Sequence, residues 1–166
     1  MRKGNVTFPN LSHLLVQIVK TKEWRIIRME MIIDFPGGLK VDAHFGPYTI
    51  ETDQPGSQGQ PGSAPTPFAT FLASIGTCAG IYVLGFCKQR GIPTDGIRII
   101  QSLKNNPFTG MISGVNLEIQ LPLDFPEKYR DAVIRAADQC AVKKHFENPP
   151  EFYIYTKTVE KENISV

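Results

Sequence analysis

Three short apolar-rich runs, Ile27 to Asp34, Leu39 to Phe45 and Tyr48 to Thr52, are separated by Pro36-Gly37-Gly38 and by Gly46-Pro47, residues that interrupt strands and turn the chain. The pattern predicts a β meander. Asp53 to Thr66 is then dense in Pro, Gly, Ser and Gln and has no apolar residue able to anchor it, which predicts a mobile surface loop. At Thr66-Pro67 the pattern changes. The threonine hydroxyl can cap free N–H groups, and a proline in the first turn gives up an N–H that has no partner there anyway. From this point Phe68, Phe71, Leu72, Ile75, Cys78, Ala79 and Tyr82 recur at three-and-four spacing, the apolar stripe of a long helix that Gly91-Ile92-Pro93 ends.

Asp95 to Leu103 and Ile112 to Leu121 predict a hairpin, in which Val115, Leu117, Ile119 and Leu121 make a dry face and Asn116, Glu118 and Gln120 a wet one. Pro126 and Glu127 open a second helix with Tyr129, Val133, Ala136 and Cys140 on one stripe and Lys143, Lys144 and His145 near its end. Pro149-Pro150 stops that helix, and Phe152 to Val159 alternates as a final strand. The expected order is β-β-β-α-β-β-α-β, an α+β chain without internal repeats.

Length and composition narrow this picture. A chain of 166 residues that is 42% apolar supports one domain with a real core, assigned to residues 29–166. Residues 1–28 do not resemble the rest of the chain. They are either an attached extra helix around Leu11 to Lys20 or a stretch ahead of a true start at Met29 or Met31. Leu14 to Val19 contains Gln17 and runs into Lys20-Thr21-Lys22, so no signal peptide is expected. Phe68 to Phe86 is apolar, but Thr70, Ser74, Gly76, Thr77, Gly80 and Gly85 suit a core helix better than a membrane span. The 18 basic and 16 acidic residues form no long single-sign run, so neither nucleic acid nor a membrane is an expected partner. Three widely spaced cysteines are not a secreted disulfide framework and point to a reducing, cytoplasmic setting.

The candidate chemistry lies in two of those cysteines. Cys78 and Cys140 each fall on the inward stripe of a helix, and helices of one small domain share a core, so the sulfurs can meet. A disulfide would require Cα atoms within about 4.4 to 6.8 Å. Cys87 lies nine residues beyond Cys78 and so, at roughly 100° per residue, on the opposite side of the same helix, where it reads as a bystander. No metal site is expected, because Cys140 and His145 lack a matching second pair. His13 and His44 read as surface or hydrogen-bonded histidines rather than general bases. Pro55-Gly56-Ser57-Gln58-Gly59 lacks the lysine of a phosphate loop, and no cofactor is called for.

Pro65-Thr66-Pro67-Phe68-Ala69-Thr70-Phe71-Leu72-Ala73-Ser74-Ile75-Gly76-Thr77-Cys78 resembles the proline-led central helix of the OsmC/Ohr family, the osmotically inducible and organic hydroperoxide resistance proteins. Ala136-Ala137-Asp138-Gln139-Cys140-Ala141-Val142 resembles that family's second-cysteine helix, and the element order agrees from about Met29 onward. The resemblance implies an α+β fold in which two chains intertwine as a homodimer, with sites at the subunit interface. It also implies Cys78 as the peroxide-attacking thiolate, Cys140 as its resolving partner, a small organic hydroperoxide as substrate and a dithiol as reductant. Phe68, Phe71 and Phe86 are then candidate pocket walls.

The sequence departs from the peroxidase members at two places. Phe68 and Ala69 stand where those proteins carry a glutamate, and Phe35-Pro36-Gly37-Gly38 contains no arginine. Lys143, Lys144 or His145 are the available substitutes. The competing reading is a non-catalytic dimer that binds a small apolar ligand and uses both cysteines for packing.

Overall fold

The computed structural model describes residues 30–160. The extra helix around Leu11 to Lys20, His13 and the start of the first expected strand lie outside these residues.

The meander forms, but its first strand runs on through Pro36 and Gly37, residues the sequence assigned to the turn: β1 (Ile32–Gly37), β2 (Lys40–Phe45) and β3 (Tyr48–Ile50) make an antiparallel sheet in that order. Gly46, at φ +52, supplies the left-handed residue of the tight β2–β3 turn. The register pairs Ile33 with Ala43 and Ala43 with Ile50, and places His44 opposite both Ile32 and Thr49. Strand parity therefore puts Ile33, Val41, Ala43, Phe45, Tyr48 and Ile50 on one face, and Asp34, Asp42, His44 and Thr49 on the other. No described helix packs broadly on this sheet, so Ile33 and Tyr48 are exposed.

The following loop is anchored by polar contacts at its base. Asp53 N–H donates to the Pro65 carbonyl at 3.2 Å and closes the loop at its base. The Asp53 carboxylate accepts bonds from Gln54 N–H, Ser63 N–H and the Ser63 hydroxyl at 2.8 to 2.9 Å. Polar anchoring replaces the apolar anchor that the segment lacks.

Helix α1 (Pro67–Lys88) begins where the sequence predicts, with the Thr66 hydroxyl accepting from Ala69 N–H at 3.1 Å. It ends at Gly91, whose φ of +64 lets Ile92 N–H reach back to the Cys87 carbonyl at 3.0 Å. By length and composition α1 could cross a membrane, with a mean hydropathy of 1.7. Its buried stripe, Ile75, Ala79, Val83, Phe86 and Cys87, packs in the core. Phe68 and Phe71, expected on that stripe, are exposed because the first turns of α1 are only partly covered, with Phe146 leaning on Phe71.

The hairpin of β4 (Arg98–Asn105) and β5 (Ile112–Gln120) lies against one side of α1. Ile99, Leu117 and Ile119 pack into the core. On the same face Gln101 donates to the Leu72 carbonyl at 3.0 Å, and Gly76 makes room for it: a Cβ there would stand 2.8 Å from the glutamine oxygen.

The second helix is in two pieces. A 3-10 turn (Glu127–Tyr129) leads into α2 (Arg130–Ala137), the chain breaks at Asp138 to Cys140, and α3 (Ala141–Glu147) follows. The break arises by tightening. Gln139 N–H bonds the Ala136 carbonyl and Cys140 N–H the Ala137 carbonyl, three residues back, and Cys140 then turns extended at ψ 121. Beyond Pro150 the expected strand from Phe152 to Val159 is absent. The segment pairs with no strand among the described residues, and Phe152 and Ile154 are 84% and 96% exposed.

Candidate functional site

Helix α1 is clasped between the hairpin on one side and α2–α3 on the other. Gly76 and Gly80 face Gln101 and Ile99 of the hairpin. Cys87, seven residues after Gly80, projects the same way and is fully buried. Cys87 therefore does lie opposite Cys78, but the far side of α1 is covered too, so it is a core residue. Burial pushes its thiol up, and only the charge of Arg90 opposes this.

Cys78 and Cys140 meet on the α2–α3 side. Cys140 caps the start of α3 at the helix break, is 1% exposed, and points its sulfur at the Ile75 carbonyl, 3.8 Å away. Cys78, one turn beyond Ile75, is half-buried beside it and packs on the same core cluster. Burial pushes the Cys140 thiol up. The N–H groups of Lys143 and Val142 oppose that, while a hydrogen bond to Cys78 and its like charge add to it. Both cysteines thus belong to one core cluster beside the Ile75 turn of α1, and all three cysteines are free.

The side chains nominated to arm Cys78 are engaged elsewhere. Lys143 pairs with Asp138 and, at 3.4 Å, with Glu147. Lys144 bonds Gln139 at 3.0 Å, and His145 Nδ1 lies 2.7 Å from the Ala141 carbonyl. His44 sits apart on the meander, bonded to Asp34 at 3.1 Å and Thr49 at 3.0 Å. Among the described residues no three His, Cys, Asp or Glu side chains are grouped to hold a metal ion.

Two turns before Cys78, Phe71 stacks near Phe68 with ring centroids 6.0 Å apart and meets Phe146 of α3 at 5.4 Å. Phe71 lies on the Cys78 side of α1, and Phe146 packs on it. Phe86 is not a pocket wall: it is core, edge-on to Tyr129 and under Arg90. Tyr82, read from the sequence as a core residue, is half-buried one turn after Cys78. Burial and the charges of both Cys78 and Cys140 push its phenol up. A hydroxyl on the cysteine stripe was the signal available in the sequence.

A model described as OsmC-like protein matches residues 59–154, which include both interacting cysteines. The chain belongs to this family. Solved structures share the OsmC-like fold. A protein from Psychrobacter arcticus 273-4, titled for osmotic stress induction and detoxification response, overlays with TM-score 0.57 at 19% identity, covering 69% of this chain and 85% of its own. The OsmC like protein from Mycoplasma pneumoniae overlays with TM-score 0.53 at 15% identity, covering 73% and 88%. No curated protein matches the sequence. The α+β architecture of an OsmC-like protein is thereby established.

Proposed function

We propose that this OsmC-like protein is a thiol-dependent redox protein that reduces organic hydroperoxides through Cys78 and Cys140. The observation that carries the reading is the unequal burial of two cysteines that share one core cluster. Cys78 is half-buried and Cys140 1% exposed, which suits Cys78 to meet a small substrate and Cys140 to react with a thiol of its own core. The Cys78 thiolate would attack the terminal peroxide oxygen, break the O–O bond, release the alcohol and become a sulfenic acid. The Cys140 thiol would then displace water and close a disulfide, which a dithiol reopens. The Phe68, Phe71 and Phe146 rings favour a hydroperoxide with an apolar tail.

A homodimer belongs to the same proposal. The apolar face of the meander, the open first turns of α1 and the bare alternating segment from Phe152 are surfaces that a second copy would cover. Cytoplasmic residence follows from a mechanism that needs its thiols returned to the reduced state. The second reading, a ligand-binding dimer with structural cysteines, draws on the engagement of Lys143, Lys144 and His145 away from Cys78.

The deciding experiment exposes reduced protein to one equivalent of cumene hydroperoxide and maps the thiols by mass spectrometry. A Cys78 to Cys140 disulfide and loss of peroxide consumption in Cys78→Ser support the redox reading. Thiols that stay reduced, with Cys78→Ser consuming peroxide as fast as the parent, refute it and leave ligand binding.

A further inference from the structure

We propose that Tyr82 is the proton donor of the thiol site, its phenol hydroxyl protonating the alkoxide that leaves when Cys78 breaks the peroxide bond. The inference rests on the hydroperoxide reading above. Peroxide cleavage by a thiolate expels an alkoxide, a poor leaving group unless a proton reaches it during the step. The cations and the imidazole that come after Cys140 are tied to other partners, so another donor is required.

Tyr82 has the placement. It lies four residues after Cys78 on α1, where Cβ atoms are about 5–6 Å apart. Helical side chains lean toward the N-terminus, so the Tyr82 ring lies over the turn that carries Cys78. Tyr82 is half-buried, so its side chain is neither sealed in the core nor fully in solvent. Burial and the charges of Cys78 and Cys140 raise the phenol's pKa, so it carries its proton at neutral pH while remaining more acidic than the alcohol to be formed.

The step balances. The sulfur of the Cys78 thiolate takes the terminal oxygen with its hydrogen and is oxidised to the sulfenic acid. The O–O pair passes to the alkoxide, which is reduced, and the Tyr82 proton makes it an alcohol. The phenolate regains from solvent the proton that Cys78 lost on ionising.

The test measures single-turnover oxidation of Cys78 by cumene hydroperoxide in the full chain, across pH, for the parent, Cys78→Ser and Tyr82→Phe. Tyr82→Phe should slow oxidation by about 100-fold, while Cys78 alkylation by iodoacetamide, a reaction with no alkoxide, keeps its rate. A fluorinated tyrosine at position 82, which keeps the shape but releases its proton more readily, should move the alkaline limb of the rate profile to lower pH. That profile decides the matter should Tyr82→Phe fail to fold. Parent-like oxidation of Tyr82→Phe, or an unmoved profile, overturns the role of Tyr82 while an inert Cys78→Ser upholds the underlying reading. A fully active Cys78→Ser overturns both.

Discussion

Replacing Gly80 with alanine should stabilise the protein, whereas the same change at Gly76 should leave it nearly unchanged, although both glycines lie in the interior of α1. Exchanging glycine for alanine inside a helix contributes about 1 kcal/mol. At Gly80 the new methyl would meet Ile99 Cδ1 at 3.8 Å, an ordinary contact, so the gain is kept. At Gly76 the methyl would stand 2.8 Å from the Gln101 side-chain oxygen. The glutamine must then swing away and give up its 3.0 Å bond to the Leu72 carbonyl, a loss of about 1 kcal/mol that cancels the gain. In a Gln101→Ala background the obstacle is gone, and Gly76→Ala should recover about 1 kcal/mol. Urea denaturation of the four members of this cycle, at one fixed protein concentration, measures the coupling. Equal stabilisation by Gly76→Ala and Gly80→Ala, or a coupling indistinguishable from zero, would refute the packing of Gln101 over Gly76.

Three further outcomes are expected. Iodoacetamide applied to the native reduced protein should label Cys78 well ahead of Cys140 and Cys87, since Cys140 is 1% exposed and Cys87 fully buried; peptide mapping that finds all three labelled at one rate would contradict this. Thr66→Ala removes the hydroxyl that accepts from Ala69 N–H and should cost about 1 kcal/mol in urea, with Thr66→Ser restoring most of it. Asp53 is held below its ordinary 3.8 by the Ser63 N–H bond first, then by the Ser63 hydroxyl and Gln54 N–H. A depressed carboxylate stabilises the folded loop above its ordinary pKa and loses that contribution as pH falls through the lowered value, so the Ser63 amide resonance should titrate with a midpoint below 3.8; a midpoint at or above it would count against the pinned loop.

The limits of α1 are legible because Thr66, Pro67 and Gly91 each act through their own backbone neighbourhood. That Cys78 and Cys140 share one core cluster is legible from their apolar neighbours, although Cys140 sits at the helix break rather than on a helix stripe. Their unequal burial is not, since it depends on how far α2 slides along α1. The α2–α3 break carries no glycine or proline between Asp138 and Cys140; it comes from bonds tightened by one residue. Alternation from Phe152 to Val159 reports which side chains share a face but names no neighbouring strand, so the pattern alone could not place it. Gln101 left a visible trace, a polar residue between Ile99 and Leu103 on the dry parity of β4, whose meaning appears only once Gly76 lies beneath it.

The bare segment after Pro149-Pro150 has a consequence for handling and for the life of the chain in a cell. Phe152-Tyr153-Ile154-Tyr155 is uncharged, proline-free and rich in residues that favour strands, and it is held away from the core. Such a run, left uncovered, adds readily to any open strand edge, and the meander offers its own edges at β1 and β3. Because strand addition between chains needs a second molecule, the yield of soluble protein should fall as concentration rises while these aromatic residues stay bare.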